Sequence, residues 1–232
     1  MAGDGGRRVE VRRLYQQTAD EIRALIGAGT YRVDTRLPAE RELAQQLGVS
    51  RPSLREALIA LEIEGSVEIR MGSGVYVRTP PEPPVSLTLA LGDSPSELMQ
   101  ARVIIEGTLI LQACARMTPA TLDVLSEAIG DMRAAVADGR DPLGADRLFH
   151  ETIAQQAGNA VLARIVADLF EERHSRLFRG FSSRFEDRDT WTAALAEHEA
   201  ILVALRAADP LRAQCALRSH LYASAERWIV DR

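Results

Sequence analysis

Lysine is missing from this chain: all 28 basic residues among its 232 are arginine. A complete absence of one cation reflects genome composition more than any single site, although the planar arginine fork does suit bidentate recognition of acceptor pairs. Cysteine is nearly absent too. Cys114 and Cys215 are too few for a disulfide framework and fall in apolar helical patterns, which predicts two small core residues in a reducing cytosol rather than a bridge or a thiolate metal site. Long apolar runs are also lacking. No stretch reaches the roughly 20 residues that a membrane helix needs, and the opening MAGDGGRRVEVRRLYQQ has no apolar core of the kind a secretory signal requires. A cytoplasmic protein with no membrane partner is expected.

What remains is an ordinary globular composition, 46% hydrophobic, with a net charge of -5. That charge is unevenly spread. Residues 1–80 hold 12 Arg against 11 acids, and residues 81–232 hold 16 Arg against 22. The acidic balance therefore belongs to the second part, and a nucleic-acid partner for the first is not excluded. Affinity for random DNA should nevertheless be modest, so specific contacts must supply the rest.

Residues 37–78, LPAERELAQQLGVSRPSLREALIALEIEGSVEIRMGSGVYVR, pack two helices, a sharp turn and a glycine-tipped hairpin into a short span. Residues 39–47 read as a helix with Leu43 and Leu47 on one face and Gly48 placed to end it in a left-handed conformation. Ser50 can cap the next helix, and Pro52 in its first turn loses no needed hydrogen bond. The apolar stripe Leu54, Leu58, Leu61 leaves Arg51, Ser53 and Arg55 on or near the opposite, N-terminal side. In helix-turn-helix readers that end of the second helix reaches base edges, and an arginine fork matches guanine O6 and N7. Gly65 ends this helix, and residues 67–71 and 75–78 can pair as strands around Gly72, Ser73 and Gly74. The same layout also describes a plain surface helix beside a hairpin, since two short helices and a glycine turn are common.

Specific blocks decide between those readings. Leu37-Pro38-Ala39-Glu40-Arg41-Glu42-Leu43-Ala44, Leu47-Gly48-Val49-Ser50-Arg51, Leu54-Arg55-Glu56-Ala57-Leu58 and Gly74-Val75-Tyr76-Val77 closely resemble the DNA-binding domain of the GntR family of bacterial transcription regulators, over residues 22–78. The resemblance implies a winged helix-turn-helix with DNA contacts from Arg41, Ser50, Arg51, Ser53 and Arg55, and with Gly72 in the wing. Two positions depart from the family pattern. The usual glycine before the Leu-Pro pair is replaced around Asp34, and Pro52 stands where many relatives carry Thr.

Residues 79–85, TPPEPPV, are the clearest punctuation in the chain, because proline removes backbone donors and disfavours helix in the residue before it. They read as a short stiff linker between a domain at 8–78 and another at 86–232. Beyond them only helix-period patterns occur, over 94–117, 119–138, 142–157, 160–181, 189–208 and 210–230. The fold class expected is mostly α: a winged helix-turn-helix followed by an all-α antiparallel bundle.

Within that bundle, Asp146 and His150 are four apart and share a helix face. His198 lies between Leu195 and Leu202, and His220 follows Leu217 on the last helix. Each imidazole singly is more often a hydrogen-bonded core residue than a ligand. Together, three imidazoles and a carboxylate facing one core would suffer desolvation that a divalent cation would offset. His174 reads as structural or solvated. Arg102, four residues before Glu106, also fits a helix-surface ion pair.

The region 94–228 is similar to the FCD ligand-binding domain of the FadR branch of the same family. The similarity rests on Arg102 with Glu106, Asp146-Arg147-Leu148-Phe149-His150, Gly158-Asn159, Glu197-His198 and His220. It implies a divalent metal held by Asp146, His150, His198 and His220, and Arg102 as a contact for an acidic effector. Zinc is the default for a nitrogen-rich site, with nickel and manganese suited to the Asp and added waters. The expectation is a homodimeric repressor on a pseudo-palindromic DNA operator, released by a small organic acid, with activation as the alternative sense. A metal-dependent enzyme is the rival class, since an open cation can activate water. No further carboxylate or His carries motif support as its general base.

Overall fold

The computed structural model describes residues 13–79 and 91–227. The expected start of the first domain at 8–12, residues 80–90, which hold most of the linker, and 228–232, with the end of the last helix, lie outside the described residues. The chain forms two compact units, Met1–Thr88 and Leu89–Arg232.

In the first unit, α1 (Leu14–Gly27) packs Tyr15, Ala19 and Ile22 against α3 (Arg51–Ile63), while α2 (Glu40–Leu47) packs beside α3 through Leu43 and Ala44. Gly48 ends α2 at φ 65, and the Ser50 side chain accepts from the Ser53 amide to start α3, so both boundary signals act as expected. Strand β1 (Val67–Arg70) pairs antiparallel with β2 (Gly74–Val77), with Val67 opposite Val77 and Arg70 opposite Gly74. The inward Val67, Val75 and Val77 close the small core under Leu54, Leu58 and Leu61.

Residues 34–37 add a third edge to this hairpin, unforeseen from the sequence. The Asp34 amide donates to the Val77 carbonyl at 2.9 Å, the Val77 amide to Thr35 at 3.0 Å, and the Leu37 amide to Val75 at 2.8 Å. Asp34 sits at φ 63, in the left-handed region. Aspartate is among the few residues that tolerate it, so the departure from the family glycine preserves the backbone turn.

The second unit is all helix among the described residues: α4 (Pro95–Cys114), α5 (Pro119–Ala137), α6 (Leu143–Gln156), α7 (Ala160–Glu171), α8 (Arg176–Phe185), α9 (Arg188–Arg206) and α10 (Pro210–Glu226). Proline opens α4, α5 and α10, where the missing amide costs nothing, and Ser94, Thr118 and Asp209 cap them. Helix α4 packs on α6, α7 and α10, and α9 joins α5 to α10. His150 on α6, His198 on α9 and His220 on α10 meet in that interior.

Two expectations are corrected. The single helix at 160–181 is broken by a 3-10 turn, Glu172–His174, after which Ser175 caps α8 by accepting from the Phe178 amide. The break turns Arg173 inward while His174 stays exposed. Cys114 is buried as expected, but Cys215 is exposed: the helical period at α10 puts Ala213 and Leu217 inward and Cys215 between them outward.

Candidate functional site

The first candidate surface lies around α2, the N-terminus of α3 and the wing. Arg41 is exposed on α2, Ser50 is exposed as the cap of α3, Arg51 is half-buried beside it, and Gly72 is exposed at φ 69 at the hairpin tip. Ser53 is committed to the cap, its hydroxyl 2.8 Å from that of Ser50. Arg55 differs from its expected placement. It is buried, and its Nε donates to the Glu40 carboxylate at 2.6 Å, which ties α3 to the start of α2. The reason is that positions 51 and 55 are one turn apart, and the second turn of α3 already runs beneath α2. Of the two arginines, Arg51 is the more open to a groove.

The second site is buried in the helical unit. Asp146, His150, His198 and His220 each bring one donor atom within 4.8 Å of all the others, and all four side chains are buried. His198 Nε2 lies 3.3 Å from His150 Nε2 and 3.0 Å from Asp146 Oδ1, and His150 Nε2 is 3.6 Å from the same oxygen. Phe149 and Phe170 flank the rings.

The other ring nitrogens fix the tautomers. His150 Nδ1 is 2.6 Å from Glu106 Oε2, His198 Nδ1 is 2.7 Å from the Ala194 carbonyl, and His220 Nδ1 is 2.8 Å from Glu197 Oε2. Carboxylates and carbonyls only accept, so each Nδ1 must carry the hydrogen, and in each neutral ring Nε2 presents a bare lone pair. Burial pushes His150 below its ordinary value, and burial with the neighbouring imidazoles pushes His220 well below it, so both favour the neutral form. Burial alone would raise the Asp146 carboxyl. The close His198 contact, the neighbouring His150 ring and the Arg173 guanidinium reverse this and hold it well below the usual carboxylate range.

With the rings in these tautomers, three Nε2 atoms and one carboxylate converge on a single point. That is unfavourable for a bare core and suited to a cation. Ligands placed about 2 Å from an ion at tetrahedral angles sit ~3.3 Å apart, close to the separations above. The Nδ1 partners match the outer-shell acceptors that orient metal-binding imidazoles. The residues present therefore fit a divalent metal.

A small, partly open cavity of about 40 Å³ adjoins the cluster, lined by Asp146 and His220 together with Arg102, Arg173, Glu186 and Trp191 among others. Arg102 is not on a helix surface: it is buried, its Nε donates to Glu106 Oε1 at 2.6 Å, and its guanidinium covers the Phe170 ring at 4.0 Å. Its Nη2 is buried with no hydrogen-bond partner. Glu106 therefore joins Arg102 to His150: burial would raise its carboxyl, but the Arg102 guanidinium and the hydrogen bond from His150 Nδ1 hold it at about 2. Sequence reasoning located Arg102 and all four cluster residues. It missed Arg173, Glu186 and Arg227, the last bonded to Glu197. The one available signal was Ser175 followed by Leu177 and Phe178, a cap before an apolar turn.

Two family models match the chain. Residues 14–77 match bacterial regulatory proteins of the gntR family, and residues 97–223 match the FCD domain. The Exu regulon transcriptional regulator of Escherichia coli strain K12 is 36% identical over 220 residues, covering 91% of this chain and 83% of that one. The Uxu operon regulator of Haemophilus influenzae is 31% identical over 216 residues, covering 91% and 80%. Among solved structures, a Streptococcus agalactiae GntR protein covers 91% of this chain and 99% of its own, at 27% identity and a TM-score of 0.50. With a winged helix-turn-helix in front and an FCD ligand-binding domain behind it, the chain belongs to the gntR family of bacterial regulatory proteins and is a DNA-binding transcription regulator rather than an enzyme.

Proposed function

We propose that this regulator is a homodimeric repressor released from its operator by a small organic acid that binds at a divalent metal in the helical domain. The observation that carries this reading is the convergence of four buried potential ligands beside a cavity lined by Arg102, a buried arginine whose Nη2 has no hydrogen-bond partner. Asp146, His150, His198 and His220 would hold the ion, with zinc the default and nickel or manganese alternatives. When bound in five- or six-coordinate form, the ion would supply a Lewis-acidic centre with positions beyond these four ligands open to an oxygen ligand. Arg102 would offset the charge of a carboxylate, strongly because both groups are desolvated. Glu106 keeps Arg102 and His150 in register, so the anion contact and the metal contact are set together.

On this reading the DNA-binding domain would span residues 8–78 and the effector domain 86–232, joined by the proline-rich stretch at 79–85. Arg51 would read base edges, with Arg41, Ser50, Ser53 and Gly72 at the backbone and wing. Arg55 would act through its hold on Glu40 as much as by direct contact. Two such heads on a pseudo-palindromic operator, with half-sites about one helical turn apart, bind far more tightly than one. An acid releases the operator only if it favours the DNA-incompetent arrangement. Such a regulator works where the DNA is, in the cytoplasm.

The test is selection of genomic fragments by the purified, metal-loaded protein. The expected result is enrichment of fragments sharing one inverted repeat. Recovery without sequence preference would contradict the reading.

A further inference from the structure

The broken helix between α7 and α8 does two things at once. Inward, it delivers Arg173, which is 8% exposed, donates from Nη1 to Asp146 Oδ2 at 3.0 Å and from Nη2 to Glu186 Oε1 at 2.9 Å, and lines the cavity. Its Nε is buried with no hydrogen-bond partner. Such an orphaned donor is costly in a finished core and is what an anion site leaves ready. Outward, the same turn grips residues 91–93, the first described residues of the helical unit. Glu172 Oε2 accepts from the Asp93 amide at 3.2 Å, the Leu91 carbonyl accepts from the Leu177 amide at 2.9 Å, and Leu91 is fully buried. Gly92, at φ 100, lies flat against Ser175: an added Cβ would stand 2.6 Å from the Ser175 hydroxyl.

We propose that Arg173 is a second anion-binding residue of the effector cavity, and that the turn carrying it reports occupancy to residues 91–93, where the chain arrives from the DNA-binding domain. This rests on the effector reading above. An incoming carboxylate takes the Arg173 Nε donor and competes with Asp146 and Glu186 for its guanidinium. Any shift of Arg173 moves Glu172 on one side and Ser175 on the other, and both hold the 91–93 segment. A helix continuous through residue 174 would present position 173 on a different path and would offer no such grip.

The experiment uses the zinc-loaded full chain. Acetate, lactate, succinate and gluconate are screened by thermal shift, and the one raising the midpoint furthest is the probe. Amide exchange at Asp93 and Leu177 is then followed with and without it. The expected result is a clear change in exchange at both amides. Arg173→Gln should lose at least tenfold in probe affinity while keeping its zinc, and Arg173→Lys should recover part of it. Glu172→Ala and Gly92→Ala should bind the probe as the parent does yet lose the response at Asp93; Glu172→Ala leaves φ 100 unchallenged should the glycine variant fold poorly. The proposal is overturned if no acid binds, if Arg173→Gln binds as tightly as the parent, or if Arg173→Gln loses its zinc, which would reduce Arg173 to a support for Asp146. It is also overturned if Asp93 exchange ignores the probe. Unchanged acid binding in Arg173→Gln with zinc retained would leave the metal reading standing, whereas zinc content unaffected by His198→Ala would remove that reading itself.

Discussion

His150 and His198 point Nε2 at Nε2 across 3.3 Å, with the opposite nitrogen of each ring tied to Glu106 and to the Ala194 carbonyl. Two lone pairs facing one another are stable there only if something positive lies between them. On the proposed metal reading Glu106 would do more than pair with Arg102: it would orient a ligand and raise its basicity. Glu106→Gln keeps the shape but weakens both contacts, and outer-shell losses of this kind typically lower metal affinity ~10- to 100-fold. Competition with a chromophoric chelator measures it. Unchanged affinity would show that His150 needs no such support.

Removing the ion should destabilise the helical unit. A ligand bound only by the folded state at a hundred times its dissociation constant stabilises by about 2.7 kcal/mol. Chelation should accordingly lower the thermal midpoint of the parent, and should leave that of His220→Ala unmoved because no ion is held to remove. A midpoint indifferent to chelator in the parent would count against a metal bound by these four residues.

Arg51 and Arg55 should separate under mutation. Arg51→Ala should weaken the cognate operator by roughly 1 to 3 kcal/mol and random DNA by less, with little effect on folding. Arg55→Ala should also lower the thermal midpoint of the N-terminal unit, because the buried guanidinium holds Glu40 at 2.6 Å. Glu40→Ala should share that loss of stability. Equal losses of affinity on cognate and random DNA for Arg51→Ala would assign it to phosphate alone.

Asp34 is the third edge's pivot, at φ 63 with its amide on Val77 and its carboxylate on Arg78. A residue with an ordinary Cβ and no polar end pays ~1 kcal/mol or more in that conformation. Asp34→Ala should therefore lower the unfolding free energy by about that amount, and Asp34→Gly should lower it less. Chemical denaturation of the two variants checks the order. If alanine proves the milder change, the left-handed turn is not what Asp34 supplies.

Much of this was legible in the chain because its signals are local. Gly48, Ser50, Gly65 and the glycine pair of the wing mark boundaries by backbone chemistry that works the same way in any fold. Helical spacing alone placed three imidazoles toward one core. The misses came where a contact between distant segments overrode a local pattern. The apolar stripe of α3 could not show that α2 would cover Arg55. The period at 160–181 continued smoothly through residues where Asp146 and Glu186 draw Arg173 inward and Ser175 restarts the helix. The edge at 34–37 exists only because β2 lies beside it. Cys215 was misplaced by reading an apolar neighbourhood as an apolar face.

The most direct check on the metal centre is elemental analysis of the purified chain beside His198→Ala and His220→Ala. The account predicts about one divalent ion per parent chain, held through desalting, and a near-complete loss in both variants. A parent free of metal after purification in zinc, nickel or manganese, or variants that retain the parent's content, would contradict it.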